Sequence, residues 1–196
     1  MKNAVKYLLA LGLFLGTTNS AFCDKADDCV AKGRAKEVKL DWNGAIEEYT
    51  RAIQLRPNYP EAYYYRGGAR KAKLDWNGAI ADYTQAIQFR PDYPEAYYYR
   101  ALAKSVEGTY DPVTKLRSGD IGGAIADYTA AIQLKPSYVD AYINRGAMKS
   151  RIRGDLDGGI ADFTKAIELS PDAARAYINR GDARQEKGDL DAAIAD

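Results

Sequence analysis

A repeat of 34 residues constrains this chain more than any other feature. KLDWNGAI stands at 39–46 and again at 73–80, and PEAYYYR stands at 60–66 and again at 94–100, each pair 34 residues apart. AYINRG at 141–146 returns at 176–181, a spacing of 35. AIEEYTRAIQ at 45–54 recurs as AIADYTQAIQ at 79–88, AIADYTAAIQ at 124–133 and GIADFTKAIE at 159–168. A fixed period of this length marks a stacked array, in which no single unit buries its apolar face alone. The units run 26–59, 60–93, 94–138, 139–173 and 174–196. The third carries about eleven extra residues, centred on Thr109–Gly119 (TYDPVTKLRSG), and the fourth one extra near Arg153.

Each unit reads as two helices. The first runs over about fourteen residues, for example Pro60 to Lys73, with Pro in the first turn, where its missing N–H is not needed. A turn with Gly or Asp follows (GD at 154–155 and 188–189, LD at 74–75). The second helix, for example Asn77 to Arg90, places Ala79, Ile80, Tyr83, Ala86 and Ile87 at helical spacings. Pro57, Pro91, Pro136 and Pro171 recur at one position and close it, because proline cannot continue a helix.

These positions resemble the tetratricopeptide repeat family over roughly 26–196. The family's bulky residue early in helix A matches Tyr63, Tyr97, Tyr142 and Tyr177, and its small residue matches Gly67, Ala101, Gly146 and Gly181. The helix-B alanine matches Ala45, Ala79, Ala124 and Ala193, with Gly159 in the fourth unit. The aromatic matches Tyr49, Tyr83, Tyr128 and Phe163, and the later alanine Ala52, Ala86, Ala131 and Ala166. The resemblance implies an all-α fold, a right-handed α-solenoid of about four and a half helix-turn-helix repeats. It also implies a binding module whose A helices line a concave face for a protein or peptide. Carried over by position, that face includes Tyr64, Tyr65, Tyr98, Tyr99, Leu102, Ile143, Asn144, Ile178 and Asn179, with Lys71, Ser105, Ser150 and Gln185 one turn further on. Tyr63 and Tyr97 are expected in the core.

Two departures from the family pattern are informative. Where the family has Leu, this chain has Lys32, Arg66, Arg100, Arg145 and Arg180. Sixteen residues on, with insertions left out, stand Glu48, Asp82, Asp127, Asp162 and Asp196. This predicts structural ion pairs, Arg66–Asp82, Arg100–Asp127 and Arg145–Asp162 among them, because arginine suits forked pairing with a carboxylate. The fifth unit ends four residues into its second helix. The expectation is that either a longer array continues beyond Asp196 or another subunit covers this end, and in the second case the last repeat would be a surface for self-association.

The first residues read as a signal peptide over 1–23: Lys2 and Lys6, then the apolar run Tyr7–Gly16, then TTNSA. Ten apolar residues are too few to span a bilayer, so no integral membrane segment is expected after its removal. Phe22 before Cys23 departs from the lipoprotein pattern, so no lipid anchor is expected. The expected location is secreted or periplasmic, and Cys29 is read as a packing residue.

Composition narrows the chemistry. Histidine is absent and only Cys23 and Cys29 are present, which removes the commonest general base and any zinc set. No metal, cofactor or catalytic residue is expected. Without Lys2 and Lys6 the chain has 26 basic and 27 acidic side chains, so no global field draws nucleic acid. GDLDGG at 154–159 lacks the later oxygen ligands of a calcium loop and reads as the interhelix turn. The peptide carboxylate clamp of one family subclass is not supported either. Asn144, Asn179 and Arg175 match it, but Tyr98 and Leu102 stand where it needs Lys and Asn. The function expected is a non-enzymatic binding scaffold of the cell envelope. The runner-up is a co-chaperone-like assembly or maturation factor, and an envelope hydrolase is the remote alternative.

Overall fold

The computed structural model describes residues 25–106 and 119–196. The expected signal peptide at 1–23 and all but the last residue of the inserted stretch 109–119 lie outside them. Ten helices follow one another among the described residues: α1 (25–38), α2 (Trp42–Leu55), α3 (Pro60–Ala72), α4 (Trp76–Phe89), α5 (Pro94–Val106), α6 (Ile121–Leu134), α7 (Val139–Arg153), α8 (Leu156–Leu169), α9 (Ala174–Lys187) and α10 (Leu190–Ile194). The odd-numbered helices are the A helices of the repeats and the even-numbered ones the B helices. The chain divides into two compact units, one ending at Phe89 and one beginning at Arg90. The first holds hairpins α1–α2 and α3–α4, and the second holds α5–α6, α7–α8 and α9–α10.

Local chemistry sets the helix ends. Every B helix starts from an aspartate whose carboxylate accepts a backbone N–H three residues on, which satisfies a donor the helix cannot. Asp41, Asp75, Asp120 and Asp155 accept from Gly44, Gly78, Gly123 and Gly158 at 2.8–3.0 Å. A Cβ on any of those glycines would lie 2.0–2.2 Å from the carboxylate oxygen. The fifth B helix has Ala192 there, and its bond to Asp189 lengthens to 3.3 Å. Asp155, the acid that opens the calcium-like stretch, is thus a helix cap. The B helices end at residues pushed to extended ψ before proline: Arg56 at 88°, Lys135 at 84° and Ser170 at 93°.

Within each complete hairpin one buried ring separates the two helices. Tyr49, Tyr83, Tyr128 and Phe163, all on B helices, are the largest fully buried side chains. Opposite them on the A helices stand the small residues. A Cβ on Gly33, Gly67 or Gly146 would come within 2.4–2.9 Å of the facing ring, whereas α5 fits Ala101 at full burial. Burying such a ring stabilises by roughly 1.5–3 kcal/mol. The expected core positions Tyr63 and Tyr97 are only half-buried. Tyr63 stacks on Phe89 at 5.7 Å, and Tyr97 packs against the second unit's core from outside. Cys29 likewise packs at the edge of the first unit's core, where burial pushes its thiol pKa up.

A polar spine runs beside the rings. Arg66 donates Nε and Nη2 to both oxygens of Asp82 at 2.9 and 2.7 Å. Arg100 does the same to Asp127 at 2.8 and 2.6 Å, and Arg145 to Asp162 at 2.9 and 2.6 Å. Arg180 reaches Asp196 through Nε at 3.0 Å. A second cation, one turn further along each A helix, meets the same acid: Arg70 at 2.9 Å, Lys104 at 3.0 Å, Lys149 at 2.9 Å and Arg184 at 2.8 Å. The remaining arginine nitrogen crosses to the preceding hairpin's B helix. Arg66 donates to Thr50, Arg145 to Thr129 and Arg180 to Thr164 at 3.0–3.1 Å. Arg66, Arg145 and Arg180 therefore each tie three helices at one point. In these and in Arg100 the tyrosine three residues before the arginine lies 5.5–5.6 Å beneath its guanidinium.

The first repeat departs from the expected pairing. Lys32 does not meet Glu48; it is exposed and bonds Asp28 one turn back at 2.6 Å. Buried Glu48 is met instead by Lys36 at 3.5 Å and Arg51 at 3.0 Å. Lysine is a single ammonium on a flexible stem and lacks the guanidinium fork that spans two helices.

Candidate peptide-binding face on the A helices

The expected binding residues sit on α3, α5, α7 and α9, but they are not equally available. In the first unit Tyr65 stacks on Tyr49 at 5.8 Å, with the Arg34 guanidinium 5.4 Å over its ring. Tyr64 meets Tyr65 edge-on at 5.4 Å. Both are half-buried, as is Lys71 on the same helix, whose ammonium pKa is lowered by burial.

The second unit gathers more of the set. Asn144 on α7 donates through Nδ2 to the Tyr98 hydroxyl on α5 at 3.0 Å, and its Oδ1 accepts from Arg175 on α9 at 2.7 Å. Three successive A helices are thereby joined by one hydrogen-bonded line. Tyr98 also stacks on Tyr138 at 4.8 Å and meets Tyr99 edge-on at 5.1 Å. Burial pushes the Tyr98 phenol pKa up, with the Asp140 carboxylate adding to it. Half-buried Leu102 completes the α5 part, its carbonyl accepting from Ser105 Oγ at 2.8 Å. On α9, Ile178 is 63% exposed, and Asn179 is half-buried against a small cavity.

Ile143 is a correction. It is 3% exposed and belongs to the second unit's core, so it offers no surface to a ligand. Helix α7 packs against α6, α8 and α9, and that wraps more of its circumference than one apolar stripe. The equivalent Ile178 on α9 lacks such enclosure.

Sequence reasoning missed three groups here. The second cation of each ion pair was readable, since Lys36, Arg70, Lys104, Lys149 and Arg184 all follow the first by four residues, which is one helical turn. The threonine partners were readable in the same way, as Thr50, Thr129 and Thr164 share a register. The acids Asp182 and Glu186, which line the cavity beside Asn179, carried no repeat signal at all.

An all-helical chain of consecutive, internally similar hairpins with this ring-and-spine core defines a helical repeat protein. The family model described as TPR repeat matches residues 41–73, 72–105, 116–149 and 150–188. The chain belongs to the tetratricopeptide repeat family, a fold of protein-interaction scaffolds that generally lack catalytic activity. No curated protein matches it. Among solved structures it is similar to MamA, at 28% identity over 83% of this chain and 88% of that one, with a TM-score of 0.73. The MamA structure from Desulfovibrio magneticus RS-1 is 19% identical over 88% of this chain and 90% of that one, with a TM-score of 0.75. YrrB, a TPR protein with an unusual peptide-binding site, is 17% identical over 85% of this chain and 80% of that one, with a TM-score of 0.68. No described helix is long and apolar enough to cross a membrane.

Proposed function

We propose that this chain is a non-enzymatic scaffold of the cell envelope that holds a protein or peptide along the A-helix face of its second unit. The observation that carries the reading is the line from Tyr98 through Asn144 to Arg175, with Ile178 exposed beside it. It combines rigid aromatic area, carboxamide groups and an exposed apolar side chain, the composition of a surface that grips an extended chain. The family supports an interaction role. The envelope location is supported by Lys2 and Lys6 followed by the apolar run Tyr7–Gly16.

The test is a tagged pull-down from envelope extract, with an Asn144→Ala/Ile178→Ala variant beside the parent chain. Loss of a specific partner at unchanged helicity is the expected result. Retention of every partner moves the site off this face. Fractionation of the full chain tests location, and recovery from the cytosol with an uncut N-terminus contradicts it.

A further inference from the structure

Each corner between a B helix and the next A helix has its own register. In the first three repeats an acid stands second in the A helix (Asp27, Glu61, Glu95), a cation ends the B helix (Arg56, Arg90, Lys135), and a tyrosine follows that cation by three residues (Tyr59, Tyr93, Tyr138). In the first repeat Asp27 is paired with Arg56 and accepts from the Tyr59 hydroxyl at 2.5 Å, with the guanidinium 3.3 Å over the ring. In the third, Lys135 meets Glu95 at 3.3 Å and lies 4.8 Å over the Tyr138 ring. Arg90 keeps the stack on Tyr93 at 3.6 Å.

The fourth repeat keeps only the acid, Asp140. Ser170 stands in place of the cation and Ala173 in place of the tyrosine, the smallest side chains at those two positions. The Ser170 hydroxyl bonds Asp172 within its own corner. Asp140 is exposed and makes no hydrogen bond or ion pair among the described residues. An acid suits the first turn of α7, which accounts for the carboxylate but not for the loss of both its partners. Asp140 stands about 16 Å of helix from Arg151. It belongs to the candidate face, because its charge acts on the Tyr98 phenol that bonds Asn144. Arg175, the cation of that line, donates to Asn144 instead.

We propose that Asp140 receives a basic side chain, arginine or lysine, of the bound peptide, in the place that Arg56 and Lys135 fill in their own repeats. The inference rests on the A-helix face being the peptide-binding face. A carboxylate that its own chain leaves unanswered favours a cationic guest and opposes an acidic one. Both basic side chains suit the place, since the chain itself uses arginine in one such corner and lysine in another.

The experiment selects short random peptides displayed on phage against the full chain, then measures the selected peptides by fluorescence anisotropy at low salt. They are expected to share an arginine or lysine. Its replacement by norleucine lowers affinity about threefold to fivefold against the parent chain, the range for an exposed ion pair. Against Asp140→Asn the same replacement changes affinity by less than about 1.5-fold, because the pairing charge is already gone. A Ser170→Arg/Ala173→Tyr variant supplies the missing cation and ring within the chain, and weakens the basic peptides by about the same factor as Asp140→Asn. Three results overturn the proposal: peptides with no shared basic residue, a norleucine replacement that costs as much against Asp140→Asn as against the parent, or full affinity for the filled corner. The peptide-binding reading then stands if Asn144→Ala/Ile178→Ala still weakens the selected peptides. Peptides indifferent to that variant as well, or failure to select any, overturn both.

Discussion

Hairpins α3–α4 and α7–α8 are the same object built with different tolerances. Both centre on a fully buried ring, Tyr83 or Phe163, against a glycine, Gly67 or Gly146. Both place two cations on one buried aspartate and reach back to a threonine of the hairpin before. They differ at the turn and at one helix contact. The turn of α3–α4 puts Leu74 at φ 64°, and that of α7–α8 puts Gly154 at φ 66°. The helix contact is Ala79 in the first and Gly159 against Ser150 in the second. The constant parts hold the fold, and the variable parts are where the chain departs from what the fold alone asks.

The largest expected effect breaks the shared part. Asp82→Ala and Asp162→Ala each strand two partly buried cations and should destabilise by about 3–5 kcal/mol in urea melts. Arg100→Leu should be milder than Arg100→Glu, since the first leaves Asp127 paired with Lys104 alone and the second sets another acid beside it. Equal melts for both arginine variants and the parent would contradict the spine.

The helix contact is next. Gly159→Ala should destabilise by about 1–3 kcal/mol, because its Cβ meets the Ser150 hydroxyl. Adding Ser150→Ala should recover most of that loss, giving a coupling of about 1 kcal/mol or more in a double-mutant cycle. Independent effects would mean that the two residues do not share the space.

At the turns the two hairpins should respond in opposite directions. Leu74→Gly should stabilise by about 1 kcal/mol and Gly154→Leu destabilise by about 1–2 kcal/mol, since a left-handed backbone strains any residue with a Cβ. Leu74 is 68% exposed and Leu40, at φ 59°, is 70% exposed, so packing offsets little of this strain.

The smallest effect is a pH dependence of the first unit. Asp27 accepts from the Tyr59 hydroxyl and is paired with Arg56, and these bonds hold its carboxyl below the usual aspartate pKa. Burial, with the Asp27 bond adding to it, pushes the Tyr59 phenol up to about 12. A carboxyl whose folded pKa is lowered stabilises above its unfolded pKa, and that contribution fades as pH falls through the folded value. Acidification below pH about 4 should therefore lower parent stability slightly more than that of Asp27→Asn. Parallel acid titrations of the two proteins check this.

The pairing of Arg66 with Asp82 was legible in the sequence because arginine and aspartate keep one register through four repeats. Lys32 kept the register without the fork, and its pairing failed with it. The ring positions were legible because Tyr49, Tyr83, Tyr128 and Phe163 keep one register in the second helix of successive repeats. The state of Ile143 was not, because one stripe of a helix does not say how many neighbours enclose it. The same string AYIN buries Ile143 on α7 and leaves Ile178 exposed on α9. Nor were the Leu40 and Leu74 backbones legible, since a turn that takes glycine twice gives no reason to expect leucine in the left-handed region. The contact of Gly159 with Ser150 was hidden for the opposite reason: it lies where one repeat differs from the rest.

Hydrogen exchange of the full chain with a partner recovered in the pull-down bound to it tests the central claim most directly. The account predicts new protection on α5, α7 and α9, with the B helices α6 and α8 unchanged. Protection confined to α6 and α8, with α7 and α9 unaffected, would contradict it.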